Sequence, residues 1–99
     1  MRRLVWSRTA KETYLDILLD IQETWGDDTA VEFAEKVEST LKSIQRMPYM
    51  FQASPSSPDK KIRRWVISKQ TSLFYKVEED RVDLITFHIN RMNDPNLNK

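Results

Sequence analysis

Between Arg8 and Trp25 the apolar residues Ala10, Tyr14, Ile17, Leu18, Ile21 and Trp25 recur in steps of three and four. That spacing predicts one face of an α-helix. Lys11, Glu12, Asp16, Asp20 and Glu23 fill the opposite face. Ser7 stands where an N-cap hydroxyl is needed. Gly26, the only glycine, follows Trp25, where a left-handed residue ends a helix at low steric cost. A second stripe, Ala30, Phe33, Ala34, Val37, Leu41 and Ile44, predicts a helix that opens on a capping box, with Thr29 as N-cap and Glu32 at N3. It should stop near Met47, because Pro48 disfavours helix in the residue before it. Two helices joined by so short a turn lie antiparallel, and their stripes need an apolar surface to cover.

That surface is predicted by the remaining pattern. Arg3–Trp6 reads as a short strand. Ile62–Ile67, Ser72–Val77 and Val82–Ile89 are rich in β-branched and aromatic residues and are separated by polar joints, the signature of an antiparallel meander. Alternation puts Leu73, Tyr75 and Val77 on one face, with Phe74 and Lys76 on the other. In the last strand it sets Ile85, Phe87 and Ile89 against Val82, Leu84, Thr86 and His88. Residues 49–59, with Pro55, Ser56, Ser57 and Pro58, read as a loop. The tail after Arg91 has no periodicity, and residues 94–99 are expected to be loose. The expected fold is α+β, in the order β-α-α-β-β-β, with an antiparallel sheet and an αα-hairpin on one face.

Ninety-nine residues, 39% of them hydrophobic, suffice for one domain with a modest core. Net charge is only +1, but it is unevenly spread. Residues 1–46 hold seven cations against nine acids, and residues 47–99 hold nine against six. Lys60, Lys61, Arg63, Arg64, Lys69 and Lys76 run without an intervening acid, so the sheet half is expected to meet an anionic partner. Cysteine is absent, which removes thiolate and disulfide chemistry. No apolar run reaches bilayer length and MRRLVWS lacks an h-region, so a cytoplasmic protein without membrane contact is expected.

No cluster has metal-ligand spacing, and a single glycine cannot build a phosphate-binding loop, so no metal or cofactor is expected. His88, the only histidine, lies inside a strand without a carboxylate or nucleophile at suggestive spacing, and is expected to be a partly buried structural residue. Arg63 and Arg64, as strand neighbours, point to opposite faces.

Trp6-Ser7 followed by Ala10, Trp25-Gly26 followed by Ala30 and Phe33, the Leu41, Ile44, Pro48 series, Ser68–Val77 and the Phe87, Arg91, Pro95 ending occur in one order. Together they resemble the RelE/ParE toxin superfamily of type II toxin–antitoxin modules, the plasmid stabilisation type, over nearly the whole chain. The resemblance implies a growth-inhibiting toxin and a cognate antitoxin, with operator DNA reached only through that antitoxin and homodimers in its absence. It offers two targets. ParE-like members poison DNA gyrase; RelE-like members cut mRNA on the ribosome without a metal.

The RelE-like pattern places lysines before the first hairpin strand, an arginine opening the second, an arginine after the last, and often a closing tyrosine. Lys60, Lys61, Arg63 and Arg64 match the first element and Arg91 the third. Ser72 stands at the arginine position of the second strand, and no tyrosine follows Arg91. The resemblance therefore leans to the ParE-like branch. Lys60, Lys61, Arg63, Arg64, Lys69, Lys76 and Arg91 are its expected target- or antitoxin-binding residues. Were the chain a nuclease, Lys60, Lys61, Arg63, Arg64, His88 and Arg91 would be its catalytic candidates.

Overall fold

In the computed structural model, which describes residues 1–89, six elements follow the predicted order. They are β1 (Arg3–Trp6), α1 (Arg8–Trp25), α2 (Asp27–Arg46), β2 (Ile62–Ser68), β3 (Thr71–Val77) and β4 (Arg81–Ile89). The strands form one sheet in the order β1-β4-β3-β2. The three later strands make the expected antiparallel meander. β1 instead joins β4 in parallel, so the sheet is mixed. The hairpin carries the chain from β1 across to β2 at the opposite edge, and the meander returns through β3 to β4, so the connection between the parallel pair is long, as such a pair requires. Arg91 and residues 94–99 lie outside the described residues.

Ser7 caps α1 as expected, its Oγ accepting from the Ala10 N–H at 2.9 Å. Gly26 has φ 99° and donates its N–H to the Gln22 carbonyl at 3.0 Å. The second helix, however, starts two residues before the expected cap. Gly26 is its N-cap, Asp27 and Asp28 form its first turn, and no side chain caps it. The two carboxylates favour that helix N-terminus through the helix dipole. Thr29 turns its hydroxyl back to the Trp25 carbonyl at 3.4 Å. The helices run antiparallel, since Tyr14 stacks on Phe33 while Gln45 reaches back to Arg2.

Val37, Leu41 and Ile44 of α2 and Ala10 and Ile17 of α1 are buried against Leu73, Tyr75, Val77, Val82, Leu84 and Phe87 of the sheet. Trp25 departs from its expected place: it is 72% exposed, at the hairpin tip beyond the sheet. The last strand also departs from simple alternation. Val82, Leu84 and Phe87 all face the core, because Tyr75 pairs with Leu84 and Phe74 with Thr86, leaving Ile85 as a bulge. An extra residue reverses the phase of a strand. Backbone groups beside the bulge are satisfied by α1 and its cap. The Ser7 hydroxyl donates to the Ile85 carbonyl at 2.8 Å, and the Phe87 N–H donates to Thr13 Oγ1 at 3.0 Å.

The loop after α2 is pinned to the sheet. Tyr75 donates its hydroxyl to the Pro48 carbonyl at 2.9 Å, and burial pushes its pKa up to about 12. Arg64 N–H reaches the Gln52 carbonyl and Ser54 N–H the Ile62 carbonyl, so residues 52–54 cover the first half of the β2 edge. Asp59 accepts from the Lys61 N–H and from the Ser57 hydroxyl, which hold its carboxyl below the usual range.

Candidate functional site

Register decides which predicted residues share a surface. Paired residues on neighbouring strands sit on the same face. Arg64 pairs with Phe74, Ser72 with His88, and Phe74 with Thr86. These residues occupy the face of the sheet away from the helices. Arg64 lays its guanidinium carbon 5.9 Å from the Phe74 ring centroid and points Nε at Ser72 Oγ, 3.4 Å away. His88 meets the same ring edge-on, with centroids 6.5 Å apart. It is exposed, not partly buried as expected, because the bulge at Ile85 leaves it outside the core. Ser72, at the position of the missing arginine, is 3% exposed and lies between them.

The other cations disperse. Arg63 points to the helix side, as the alternation predicts. It donates Nη1 to the Phe51 carbonyl at 2.9 Å and covers Tyr49 at 4.8 Å, while its buried Nε has no partner. Lys76 shares the open face but is paired with Glu78 at 3.3 Å. Lys60 and Lys61 are exposed before β2, Lys60 with φ 61°. Lys69 lies in the turn between β2 and β3. Arg91 lies outside the described residues. The run from Lys60 to Lys76 is thus not one patch: Arg63 turns inward and Lys76 is ion-paired with Glu78. Among the described residues no group of metal-ligating side chains comes together.

Chemically, the open face offers a guanidinium over the edge of an aromatic ring, 5.9 Å from its centroid, beside a solvent-facing imidazole. It can hold an anion. Among the described residues no carboxylate hydrogen-bonds His88, and the acidic side chain beside it is that of Asp16 of α1, which lines the same shallow pocket.

Two features were missed in the sequence. On the outer side of the hairpin, Leu15, Leu18, Leu19, Ala30, Val31 and Ala34 line a groove of about 520 Å³. Leu15 and Leu19 are more than half exposed, and their i,i+4 spacing within the polar face of α1 was a legible sign. A second groove, about 400 Å³, runs between β1 and α2 over Leu4, Trp6, Tyr14, Val37 and Leu41. There burial, and after it the charge of Glu38, raises the pKa of the Tyr14 phenol.

The arrangement recurs in solved structures. The chromosomal ParDE system from P. aeruginosa superposes with TM-score 0.72 at 16% identity, over 90% of this chain and 96% of that one. The YoeB/ParE toxin from Agrobacterium tumefaciens gives 0.62 at 19% identity, over 88% and 97%. The YoeB dimer from Staphylococcus aureus gives 0.63 at 18%, over 88% and 94%. Among curated proteins none matches in sequence. The fold is therefore the RelE/ParE-like α+β fold. The chain belongs to the ParE toxin family of type II toxin–antitoxin systems, parDE, whose family model matches residues 4–93. Membership implies a cognate antitoxin partner. No helix among the described residues is long and apolar enough to cross a membrane.

Proposed function

We propose that this chain is a growth-inhibiting toxin that acts on DNA gyrase by protein–protein contact and is neutralised by its antitoxin. The observation that carries this is the centre of the open sheet face. Phosphodiester cleavage needs a proton acceptor and charge stabilisation at one phosphate. Here Ser72 fills the second-strand arginine position, and its hydroxyl lies beside Arg64. His88 has no carboxylate partner among the described residues. Losing one charge stabiliser costs about 2.7–4 kcal/mol in a barrier, or roughly 100- to 1,000-fold in rate. Inhibition by contact needs only a surface, and the hairpin groove supplies one.

One observation favours the runner-up, a RelE-like ribosome-dependent endoribonuclease. Arg64 reaches across from β2 to Ser72, so a guanidinium stands close to the vacant arginine position, with His88 opposite. Induced expression without antitoxin separates the two. We expect growth arrest in which the DNA-damage response rises before translation falls. Abundant codon-specific mRNA cuts on the ribosome, abolished by Arg64→Ala and by His88→Ala, would establish the nuclease instead.

A further inference from the structure

The hairpin carries more apolar surface than the sheet can cover. Ala10, Tyr14, Ile17 and Ile21 of α1 face the core, but Leu15 and Leu19 form a second row on the outer side. Leu15, Leu19 and Val31 of α2 are 57%, 55% and 54% exposed along the groove of about 520 Å³. Gln22 and Asp27, joined by a hydrogen bond of 2.8 Å, line its end at the hairpin tip. Trp25 lies one turn beyond Gln22 and is left in solvent. An apolar patch of this kind with a polar rim marks an interaction site.

The rim is acidic. Side chains three or four apart on a helix are surface neighbours. By that spacing Asp16, Glu23, Asp28, Glu35 and Glu38 flank the groove residues, and Asp27 lines the groove itself. None of these six has an ion pair among the described residues. Glu12 flanks Leu15 as well but is held by Arg8 at 3.3 Å. Lys11, one turn before Leu15, is the one cation that the same spacing brings to the rim. Glu38 is shared with the groove beside β1.

We infer that this groove docks a basic amphipathic helix of the target, apolar at i, i+4 and i+7 and flanked by lysine or arginine. This rests on the contact reading above and adds which face of the toxin is used and what chemistry it grips. From Leu15 to Gln22 the groove runs about 10 Å at 1.5 Å per residue, room for two turns of a docked helix. Trp25 is placed to anchor the tip end, and tryptophan is among the residues that most often dominate an interface. Charge selects the occupant. A second copy would bring the same six carboxylates. A nucleic acid, or an antitoxin segment that reaches the sheet end with carboxylates, is repelled here. The proposed target handles DNA, and proteins that do so carry faces rich in lysine and arginine.

Binding of the full chain, freed from its antitoxin, to purified gyrase subunits tests this, with antitoxin affinity and thermal melting as controls. Trp25→Ala should weaken gyrase binding about 30-fold. Leu15→Ala with Leu19→Ala, which keeps helix propensity, should weaken it about a hundredfold. These side chains are exposed, so melting and antitoxin affinity should hold. Glu23→Lys with Glu35→Lys should slow association about tenfold at low salt and little at high salt. Should the double leucine variant fail to fold, the tryptophan and charge variants still decide. Undiminished gyrase binding by every folded variant overturns the inference and leaves the contact reading standing. An equal loss of antitoxin binding overturns it in favour of the antitoxin. A native chain of dimeric mass that the leucine changes make monomeric overturns it in favour of a second copy. A chain that binds neither gyrase subunit sinks the gyrase reading and the inference with it.

Discussion

Tyr75 ties three parts of the molecule together: its ring lies in the core, its hydroxyl holds the Pro48 carbonyl, and Arg63 pairs beside it on β2. Tyr75→Phe keeps the ring and leaves a buried carbonyl unpaired, at a cost of about 1–3 kcal/mol in denaturant unfolding. The variant also isolates a pH effect. Burial raises this phenol to about 12, so between the unfolded value of 10.0 and that value the native state binds the extra proton. Stability therefore falls as pH rises from 10 toward 12. Thermal melts across that range should show the decline in the native sequence and a flatter profile in Tyr75→Phe. Gly26 gives a second test at the same scale. A Cβ there meets nothing within 4 Å, so only its φ of 99° matters. Gly26→Ala should destabilise by about 1–3 kcal/mol, because φ 99° with ψ 172° is a region essentially reserved for glycine, without disturbing the core.

Among the elements, β4 depends most on its neighbours. The bulge at Ile85 brings Leu84 and Phe87 into one core, and the Ser7 and Thr13 hydroxyls complete its hydrogen bonding. Ser7→Ala removes both the α1 cap and the partner of the Ile85 carbonyl. We expect about 1–3 kcal/mol of lost stability and faster exchange at the Ala10 amide. The bulge was not legible in the sequence. VDLITFHI is apolar at so many positions that either phase of alternation fits, and the choice is made by the pairing with β3. The parallel entry of β1 was hidden for a related reason, since four residues, RLVW, carry no record of their partner. The hairpin and the meander were legible because their periods persist over many residues. For the site, alternation alone separated Arg63 from Arg64. The contact of Arg64 with Ser72 and the pairing of Lys76 with Glu78 depend on register and a turn, which composition does not encode.

Across the whole molecule, charge is sorted by layer, and ion pairing sharpens the sorting. Glu12, Asp16, Asp20, Asp27, Asp28, Glu32 and Glu35 lie on the hairpin. At the sheet end Arg81 is held by Asp83 at 2.9 Å and Lys76 by Glu78, while Arg3 meets Asp80 at 3.7 Å. Lys60 and Lys61 are exposed, and no carboxylate stands within ion-pair distance of either among the described residues. Lys61 is balanced only at a distance by Asp59, whose carboxyl its charge helps to lower, whereas Lys76 is in direct contact with Glu78. Rim charges of this kind act on encounter more than on the finished complex. An antitoxin that approaches this end with carboxylates should associate more slowly as salt rises, because the Debye length shrinks to about 10 Å at 0.1 M. Reversing both lysines, Lys60→Glu with Lys61→Glu, should lower the association rate about tenfold at low salt and flatten its salt dependence. Lys60 already adopts φ 61° without being glycine, so glutamate adds no new backbone strain there. Lys76→Ala should change the rate little, since its charge is already paired. Stopped-flow mixing of each variant with the antitoxin over a salt series reads both effects. Equal slowing by the Lys76 change and the double reversal would show that net charge, not its placement, governs the encounter.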